Sequence, residues 1–312
     1  MGIKSVYVII LNWNHKNDLL LTLESFIKQT YSDLKILVAD NGSKDGSVEL
    51  IKKDYPNIVI LDNKENLGFA AGNNKAIEHA LSQNADFVLL ANNDIYIDNP
   101  NLVSQIMLEI SNSDIKNIGI YGIQERNFYC KDKIESEGHF LFDDFSTPSK
   151  QLNTKRVEYA SPQPSPIKYV DFVAGSFILV KNEVFEKCGL LDEAFFMYHE
   201  EAEFCFRAWL NGFKVVINPT YNYFHKVAKS AGTGSPFSLY YRVRNNFYFL
   251  HKHKKQIKFY SYYFRRYAIS IIHSFLKLSA LLIFHYKRTI ELWKALLRAI
   301  IDARNHVYYK RF

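Results

Sequence analysis

The chain has few cysteines, and they are too far apart to form a familiar motif. Cys130, Cys188 and Cys205 are the three cysteines among 312 residues. An odd number at wide spacing argues against a paired zinc motif and against a disulfide framework. We therefore expect a reduced, cytoplasmic environment.

Long apolar runs are also scarce. The first run, residues 6–11, is far shorter than the apolar core of a secretion signal and leads directly into polar residues. The most apolar stretch, residues 268–284, is interrupted by His273 and Lys277 and falls short of the roughly 20 residues that a spanning helix needs. We expect neither a cleaved signal nor a membrane-spanning helix.

What is present is typical of a globular protein, with 48% hydrophobic and 23% charged residues. This composition excludes a disordered or collagen-like chain, and the length predicts one large domain or two. Charge is unevenly distributed, since residues 237–312 contain 16 Lys and Arg against 2 Asp and Glu. That basic region is rich in aromatic residues, which suits an anionic membrane surface better than nucleic acid, for which no binding motif is visible.

Apolar runs alternate with helical patterns in the first hundred residues. The patterns predict strands at 6–11, 34–39, 58–61 and 87–91, and helices at 16–29, 46–54 and 70–83. This alternation is typical of an α/β fold with a parallel, doubly wound sheet. Ligands bind such sheets beyond the carboxyl ends of the strands, so we expect a site at the polar segments 12–14, 40–43, 63–68 and 92–94.

The second half of residues 1–236, which we call the body, is less regular. Residues 122–166 have weak periodicity and a Ser/Pro-rich end, which we interpret as long loops or a hairpin insertion. Beyond them the sequence predicts a strand at 175–180, helices at 182–188 and 200–211, and a last strand at 214–217 closed by Pro219.

Three groups of residues are candidates for chemistry. Asp94 follows a buried strand and is suited to a divalent cation, although an Asn-rich turn would explain the same residues. Glu200 and Glu201 begin a helix, where acidic residues also favour the helix dipole. His225 precedes Lys229 and a Gly/Ser-rich stretch, a combination suited to a metal and a diphosphate, without the spacing of an ATPase loop.

Taken in order, these segments resemble the inverting glycosyltransferase family 2, and within it the bacterial rhamnosyltransferases. The resemblance covers residues 5–250 and is carried by short stretches at 8–14, 38–47, 66–74, 89–94, 175–177 and 195–205. It implies a GT-A fold, with a mostly parallel, Rossmann-like sheet flanked by helices. It divides the chain into a catalytic domain at 1–236, with a nucleotide-sugar half at 1–98 and an acceptor half at 99–236, and a helical basic region at 237–312.

The resemblance also assigns roles to individual residues. It implies that Glu201, or else Glu200, is the catalytic base, and that Asp94 and His225 hold Mg²⁺ or Mn²⁺. In the family's metal motif this chain has Asn92-Asn93-Asp94, with one carboxylate instead of two. The remaining nucleotide-sugar contacts would come from Asn12, Asp40, Asn41, Gly68, Asn73, Asn92, Asn93 and Lys229.

The activity implied is transfer of a sugar from a nucleoside diphosphate to a saccharide or lipid-linked acceptor in bacterial surface polysaccharide synthesis. The first expectation for the donor is dTDP-rhamnose, followed by a UDP-hexose. A catalytically silent nucleotide-sugar or lipid-binding scaffold is the alternative, whereas a nucleotidyltransferase would need a glycine-rich loop that residues 12–17 lack. The basic region would either anchor the enzyme to the inner face of the cell membrane or pack on the catalytic domain.

Overall fold

A mixed β-sheet forms the centre of the computed structural model, which describes residues 2–141, 166–226, 235–257, 267, 269, 271 and 286–307. The strands described are β1 (Val6–Asn12), β2 (Leu34–Asp40), β3 (Val59–Asp62), β4 (Phe87–Asn92), β5 (Ile95–Tyr96), β6 (Ile118–Asn127), β7 (Ile134–Ser136), β8 (Lys168–Tyr169), β9 (Phe177–Lys181) and β10 (Lys214–His225). Their order is β3-β2-β1-β4-β9-β6-β10-β5, with β7 paired to β6 and β8 to β10.

Helices flank this sheet. Those described are α1 (Lys16–Ile27), α2 (Ser47–Asp54), α3 (Gly68–Ser82), α4 (Leu102–Asn112), α5 (Asn182–Cys188), α6 (Glu200–Leu210), α7 (Pro236–Lys252) and α8 (Tyr286–Arg304). Within the described part of the chain, none is both long and apolar enough to cross a bilayer. Most of the apolar stretch 268–284 lies outside the described residues.

The first four long strands run parallel and end at one edge, as predicted. Asn12 at the end of β1 is opposite Asp40 at the end of β2, and Leu11 is opposite Asn92 at the end of β4. Val6, Val8 and Ile10 are fully buried on one side of the sheet, and Ile9 is fully buried on the other. Burial on both faces explains why these strands appear in the sequence as continuous apolar runs.

The second half of the sheet is mixed. β9 lies between β4 and β6 and is antiparallel to both, while β6 and β10 are parallel to each other. The fold class is therefore α/β with a mostly parallel sheet flanked by helices.

Two boundaries differ from the prediction by more than two residues. The region expected to be irregular from residue 122 begins inside β6. This strand turns back into the antiparallel β7, which agrees with the hairpin interpretation. Residues 142–165 lie outside the described residues. The last strand does not close at Pro219, because β10 continues to His225. Its register with β6 shifts between Asn218 and Asn222, and such a bulge accommodates a residue that has no N–H to donate.

The basic C-terminal region packs on the body. Tyr240, Tyr241 and Phe249 of α7 form one buried cluster with Phe195 and Phe206 of the body. The buried residues of α8 in this cluster are Ala295, Leu296 and Ala299. Packing on the body therefore accounts for the apolar faces of α7 and for one face of α8.

Candidate functional site

A cleft of about 400 Å³ lies at the carboxyl ends of β1 and β4 and at the start of α6. Its size is within the range of small-molecule sites. Nine of the predicted site residues line it, namely Asn12, Asn41, Gly68, Asn92, Asn93, Asp94, Glu200, Glu201 and His225. The structure thus brings together residues that are more than 200 positions apart in the chain.

Three predicted residues do not line the cleft as described. Asp40 is buried behind it, where its carboxylate accepts hydrogen bonds from Asn12 Nδ2 at 2.9 Å and from the backbone N–H of Ser43 at 2.7 Å. Asn73 lies within α3 and donates to the carbonyl of Phe69. Lys229 is outside the described residues.

Asp40 acts on the cleft through a chain of amide contacts. Asn93 Nδ2 donates to Asn12 Oδ1 at 2.7 Å, and Asn12 Nδ2 in turn donates to Asp40. Because Asp40 accepts, it fixes which end of the Asn12 amide faces Asn93. Three strand ends are tied together in this way, and the cleft wall is preformed.

Asp94 and His225 meet although they are 131 positions apart. Asp94 lies in the short connection between β4 and β5, and β5 pairs with the end of β10 so that Ile95 is opposite His225. The Nε2 atom of His225 is 3.0 Å from Asp94 Oδ1, and its Nδ1 atom is 2.6 Å from Glu125 Oε1. Although burial lowers the pKa of His225, hydrogen bonds to the two carboxylates raise it to about 10.

The donor set at this position fits a divalent cation that completes its coordination with substrate and water. Among the residues that the structure describes, no group of three or more His, Cys, Asp or Glu side chains is placed to hold a metal. Asp94 supplies a carboxylate oxygen, and His225 would supply an imidazole nitrogen once a cation displaces the proton between Nε2 and Asp94; both are ligand types that Mn²⁺ accepts. Mg²⁺ and Mn²⁺ bound by so few protein ligands take the remainder from waters and phosphate oxygens.

Glu200 and Glu201 line the cleft from the first turn of α6. Burial and the charge of Glu201 raise the pKa of Glu200 well above its usual value, and burial also raises the pKa of Glu201. In the described part of the molecule, the Oε2 atoms of both side chains are buried without a hydrogen-bond partner. Buried carboxylate oxygens are normally satisfied, so an unpartnered pair beside a cleft indicates a functional site.

A cation from the basic region also reaches the cleft. Arg242 of α7 lines it, and its guanidinium lies 4.6 Å from the ring centroid of Tyr198. Its charge favours the carboxylate forms of Glu200 and Glu201. Burial, together with the same charge, lowers the pKa of His199 to about 4, so this histidine is neutral.

The sequence analysis missed Glu125 and Arg242, and it placed Trp13 in the predicted site segment 12–14 without giving it a role. Glu125 follows the apolar part of β6, a signal that was available but fell in a region interpreted as irregular. Trp13 directly follows Asn12, lines the cleft and is 43% exposed, which makes it a platform for stacking. Arg242 carries no local signal, because only the packing of α7 on the body places it at the cleft.

The cleft therefore presents a carboxylate pair on one wall and a cation-binding pair on another. A carboxylate with a free lone pair can take a proton from a hydroxyl. Positive charge on the other side can stabilise an anionic leaving group. The arrangement suits substitution at a carbon atom that carries such a leaving group.

Comparison with known proteins agrees with this chemistry. A family model described as glycosyl transferase family 2 matches residues 7–187. A low-salt glycan biosynthesis hexosyltransferase of Haloferax volcanii is 29% identical over 64% of this chain and 60% of its own length. The chain thus aligns with about three-fifths of that archaeal relative.

Two bacterial relatives are aligned over more of their own length. An N-acetylglucosaminyl-diphospho-decaprenol L-rhamnosyltransferase of Mycobacterium tuberculosis is 26% identical over 73% of this chain and 78% of its own. A dTDP-rhamnosyl transferase of Shigella flexneri is 24% identical over 96% of this chain and 95% of its own.

Among solved structures, a mannosyltransferase of Pyrobaculum calidifontis, in complex with GDP-mannose and Mn²⁺, superposes with a TM-score of 0.60. It is 15% identical, and the match covers 97% of this chain and 88% of that one. At this identity the likeness concerns the fold.

Proposed function

The chain belongs to glycosyl transferase family 2, and from this premise we propose that it transfers a sugar, with inversion, from a nucleoside diphosphate donor to an acceptor hydroxyl. Its GT-A-like sheet supports the assignment. The observation that carries it is that Glu200 and Glu201 each have one buried carboxyl oxygen, Oε2, without a hydrogen-bond partner in the described part of the molecule, in the cleft that Asp94 and His225 also line.

Glu201 is the base in this proposal. Burial raises the pKa of both carboxyls, but Glu200 is buried whereas Glu201 is partly exposed at the cleft, so Glu201 is the better placed to reach an acceptor. Glu201 takes the proton of the acceptor hydroxyl, and the acceptor oxygen forms a bond to the anomeric carbon. The bond from that carbon to the diphosphate oxygen breaks in the same step and inverts the centre. No covalent enzyme intermediate is required.

On the leaving-group side, Asp94 and His225 would hold Mg²⁺ or Mn²⁺. When bound, the cation supplies positive charge to the diphosphate as it departs. Glu125 orients the His225 ring through Nδ1, which leaves Nε2 directed at Asp94. Lys229 stays a predicted contact to the diphosphate.

For the donor we propose dTDP-rhamnose first and a UDP-hexose second. The bacterial relatives named as rhamnosyltransferases support the first choice. Asn12 and Asn41 line the nucleotide side of the cleft, and Trp13 offers its ring to the base or sugar. The acceptor would be a saccharide or a lipid-linked sugar, as in the mycobacterial relative's name.

We further propose that the enzyme works at the inner face of the cell membrane. Leu297 and Ile301, one turn apart on α8, are 48% and 55% exposed. The cationic residues Lys294 and Arg298 are exposed on the same helix. Exposed apolar side chains next to cations are typical of a helix that lies on anionic lipid.

Release of nucleoside diphosphate tests the proposed function. We would incubate dTDP-, UDP- and GDP-sugars with the protein, with Mn²⁺ or Mg²⁺ and with EDTA, and compare wild type with Asp94→Ala. Asp98→Ala, a change at an exposed aspartate nearby, is the matched control. Release from one donor, lost with EDTA and in Asp94→Ala alone, is the expected result.

Two other outcomes would contradict parts of the proposal. Release that persists in EDTA and in Asp94→Ala would rule out the metal role. Donor binding with no release, even with a panel of saccharide acceptors, would favour the binding scaffold instead.

A further inference from the structure

The segment that leads into α6 has a strained backbone. Phe196, Tyr198 and His199 have φ angles of 63°, 70° and 72°, in the left-handed region that residues other than glycine rarely adopt. Phe196, with ψ of −57°, is the centre of a γ-turn in which the Met197 N–H donates to the Phe195 carbonyl at 2.7 Å. This is the rarer, strained type of γ-turn. Such conformations persist where surrounding contacts impose them, and they cluster at functional sites.

Asn245 of α7 supplies these contacts. Its Nδ2 atom is the donor to three carbonyl oxygens of the segment, those of Phe195 at 2.9 Å, Met197 at 2.8 Å and Tyr198 at 2.6 Å. Asn245 is fully buried, so water does not compete for these bonds. One side chain thus holds the turn on both sides of Phe196.

Arg244 determines the orientation of the Asn245 amide. It is fully buried, and its Nε and Nη2 atoms donate to Asn245 Oδ1 at 2.8 Å and 2.6 Å. Because a guanidinium has donors alone, it holds the amide oxygen toward itself and the amide nitrogen toward the turn. Nη2 also donates to the carbonyls of Ala194 and Phe195, at 2.8 Å and 2.7 Å.

The opposite side of the turn contacts the start of α3. The backbone N–H of Phe69 donates to the Phe196 carbonyl at 2.6 Å. Gly68 has φ of +81°, and a Cβ atom there would lie 2.3 Å from the same carbonyl oxygen. The turn is therefore packed between α7 and Gly68, a predicted donor-site residue.

We propose that Asn245, oriented by Arg244, is a positioning residue that fixes this turn and so directs Glu200 and Glu201 into the cleft. Glu200 follows His199 directly, so a change in the turn alters the first turn of α6, which carries both carboxylates. The catalytic consequence rests on the proposed function of Glu201.

Asn245→Asp tests the proposal, with Asn246→Asp as the matched control. The change keeps the shape of the side chain but replaces the amide donors with an oxygen that faces three carbonyls. Asn246 is the next residue of α7 and contacts Tyr267 instead. In Asn245→Asp we expect kcat to fall by about 10- to 100-fold, since small misplacements of catalytic groups have effects of this size. Donor affinity, measured by titration, should be retained.

Hydrogen exchange supplies a readout that does not depend on activity. In Asn245→Asp, amides of residues 195–203 should exchange faster than in wild type while those of β1 and β4 are unchanged. Should this variant fail to fold, Asn245→Ala, which removes the donors without adding a charge, is measured in the same way. Unchanged kcat and unchanged protection of residues 195–203 in the variant that folds would overturn the proposal.

The two readouts separate this proposal from the proposed function. If wild type releases no nucleotide from any donor, the transferase assignment fails, and hydrogen exchange still decides whether Asn245 holds the turn. If kcat and the acidic limb of the pH profile move in Asn245→Asp but not in Asn246→Asp, the positioning role is supported. If Asn245→Asp lowers the amount of folded protein but leaves kcat per donor-binding site unchanged, the role of Asn245 is structural and the positioning role is contradicted.

Discussion

Glu200 and Glu201 are adjacent, and burial raises the pKa of both carboxyls. Two buried carboxylates this close share protons, because two negative charges in a poorly solvated site repel each other. Glu200 is 4% exposed and has its pKa raised by burial and then by the charge of Glu201. Gly175 and Glu201 both line the cleft, and a Cβ atom added at Gly175 would lie 3.7 Å from the Glu201 side chain.

Conservative variants of the pair should therefore differ. Glu201→Gln removes the base, and we expect transfer to fall by about 100-fold or more while donor binding is retained. Glu200→Gln leaves the proposed base in place, so its loss should be smaller. Turnover numbers with donor-binding titrations check this, and equal losses in both variants would contradict the assignment.

Arg242 should set the acidic limb of the pH profile. The base works as a carboxylate, so activity falls as the pH drops through its raised pKa. The positive charge of Arg242 lowers that pKa. Arg242→Gln should therefore move the acidic limb of kcat to higher pH, whereas Arg242→Lys, which keeps the charge, should stay closer to wild type. An unmoved limb in Arg242→Gln would show that this charge does not act on the base.

At the scale of elements, the joint between α6 and α7 is an ion-pair network around one carboxylate. Glu203 of α6 is fully buried and contacts Arg207 Nε at 2.8 Å, Lys252 Nζ at 2.7 Å and His253 Nε2 at 3.0 Å. Burial alone would raise the pKa of Glu203, but the His253 hydrogen bond and the cations lower it to about 2. The network therefore joins α6, which carries Glu200 and Glu201, to α7, which carries Asn245.

Removing the Glu203 charge should destabilise the fold. Glu203→Gln removes the buried negative charge that Arg207, Lys252 and His253 contact. Because Arg207 and Lys252 are partly solvated and keep other partners, we expect a cost of about 1.5 to 3 kcal/mol of unfolding free energy at pH 7. Because the folded pKa is depressed, wild type loses this contribution as the pH falls from 4.5 toward about 2, and the difference between the two proteins should narrow there. Urea unfolding at pH 7 and pH 3 measures it, with Glu186→Gln, at an exposed position, as the control. A difference that is independent of pH would contradict the role of this carboxylate.

The contact between α3 and the turn has a matched pair of glycines to test it. Gly68 and Gly212 have φ angles of +81° and +82°, but an added Cβ would meet the Phe196 carbonyl at Gly68 and nothing within 4 Å at Gly212. Gly212→Ala should cost about 1 to 2 kcal/mol of backbone strain. Gly68→Ala should cost more and weaken donor binding, as thermal unfolding and donor titration would show. Equal losses of stability in the two variants would mean that the turn at Phe196 can move away from an added Cβ atom without a measurable loss of free energy.

The elements best predicted from the sequence are those with local signals. α5 begins and ends where the sequence analysis placed it, and β1 and β2 extend one residue further than predicted. The part of β10 beyond Pro219 was missed, because a bulge that depends on β6 is invisible locally. In the site, the resemblance assigned Asp94 and His225 to the same metal position, and the two side chains are 3.0 Å apart in the structure. The positions of Arg242 and Asn245 at the site depend on how α7 packs on the body, and a local sequence pattern does not predict that packing.

At the scale of the whole molecule, the basic region has two surfaces with different roles. One face of α8 packs in the cluster with Leu296, and Leu297 and Ile301 remain exposed. Packing on the body and membrane contact, which began as alternatives, are therefore compatible.

The full chain should sediment with anionic liposomes, and high salt should weaken the binding because exposed charges are screened. Lys294→Glu combined with Arg298→Glu should reduce it several-fold, since each cation near such a surface contributes about 1 kcal/mol. Lys52→Glu with Lys53→Glu, at exposed lysines of α2, is the control of equal charge change. Absence of sedimentation for wild type would contradict the membrane proposal.

The position of β9 has a consequence for how the chain folds during synthesis. β4 and β6 are made first, but each pairs with β9, so neither can complete its ladder until residue 181 has been added. Until then the nascent chain carries two unpaired strand edges, and such edges promote aggregation. The sheet is rich in contacts between distant residues, a topology that folds slowly. Because β6 also pairs with β10, which ends at His225, we expect the nascent chain to be most prone to aggregation while residues 128–225 are being synthesised.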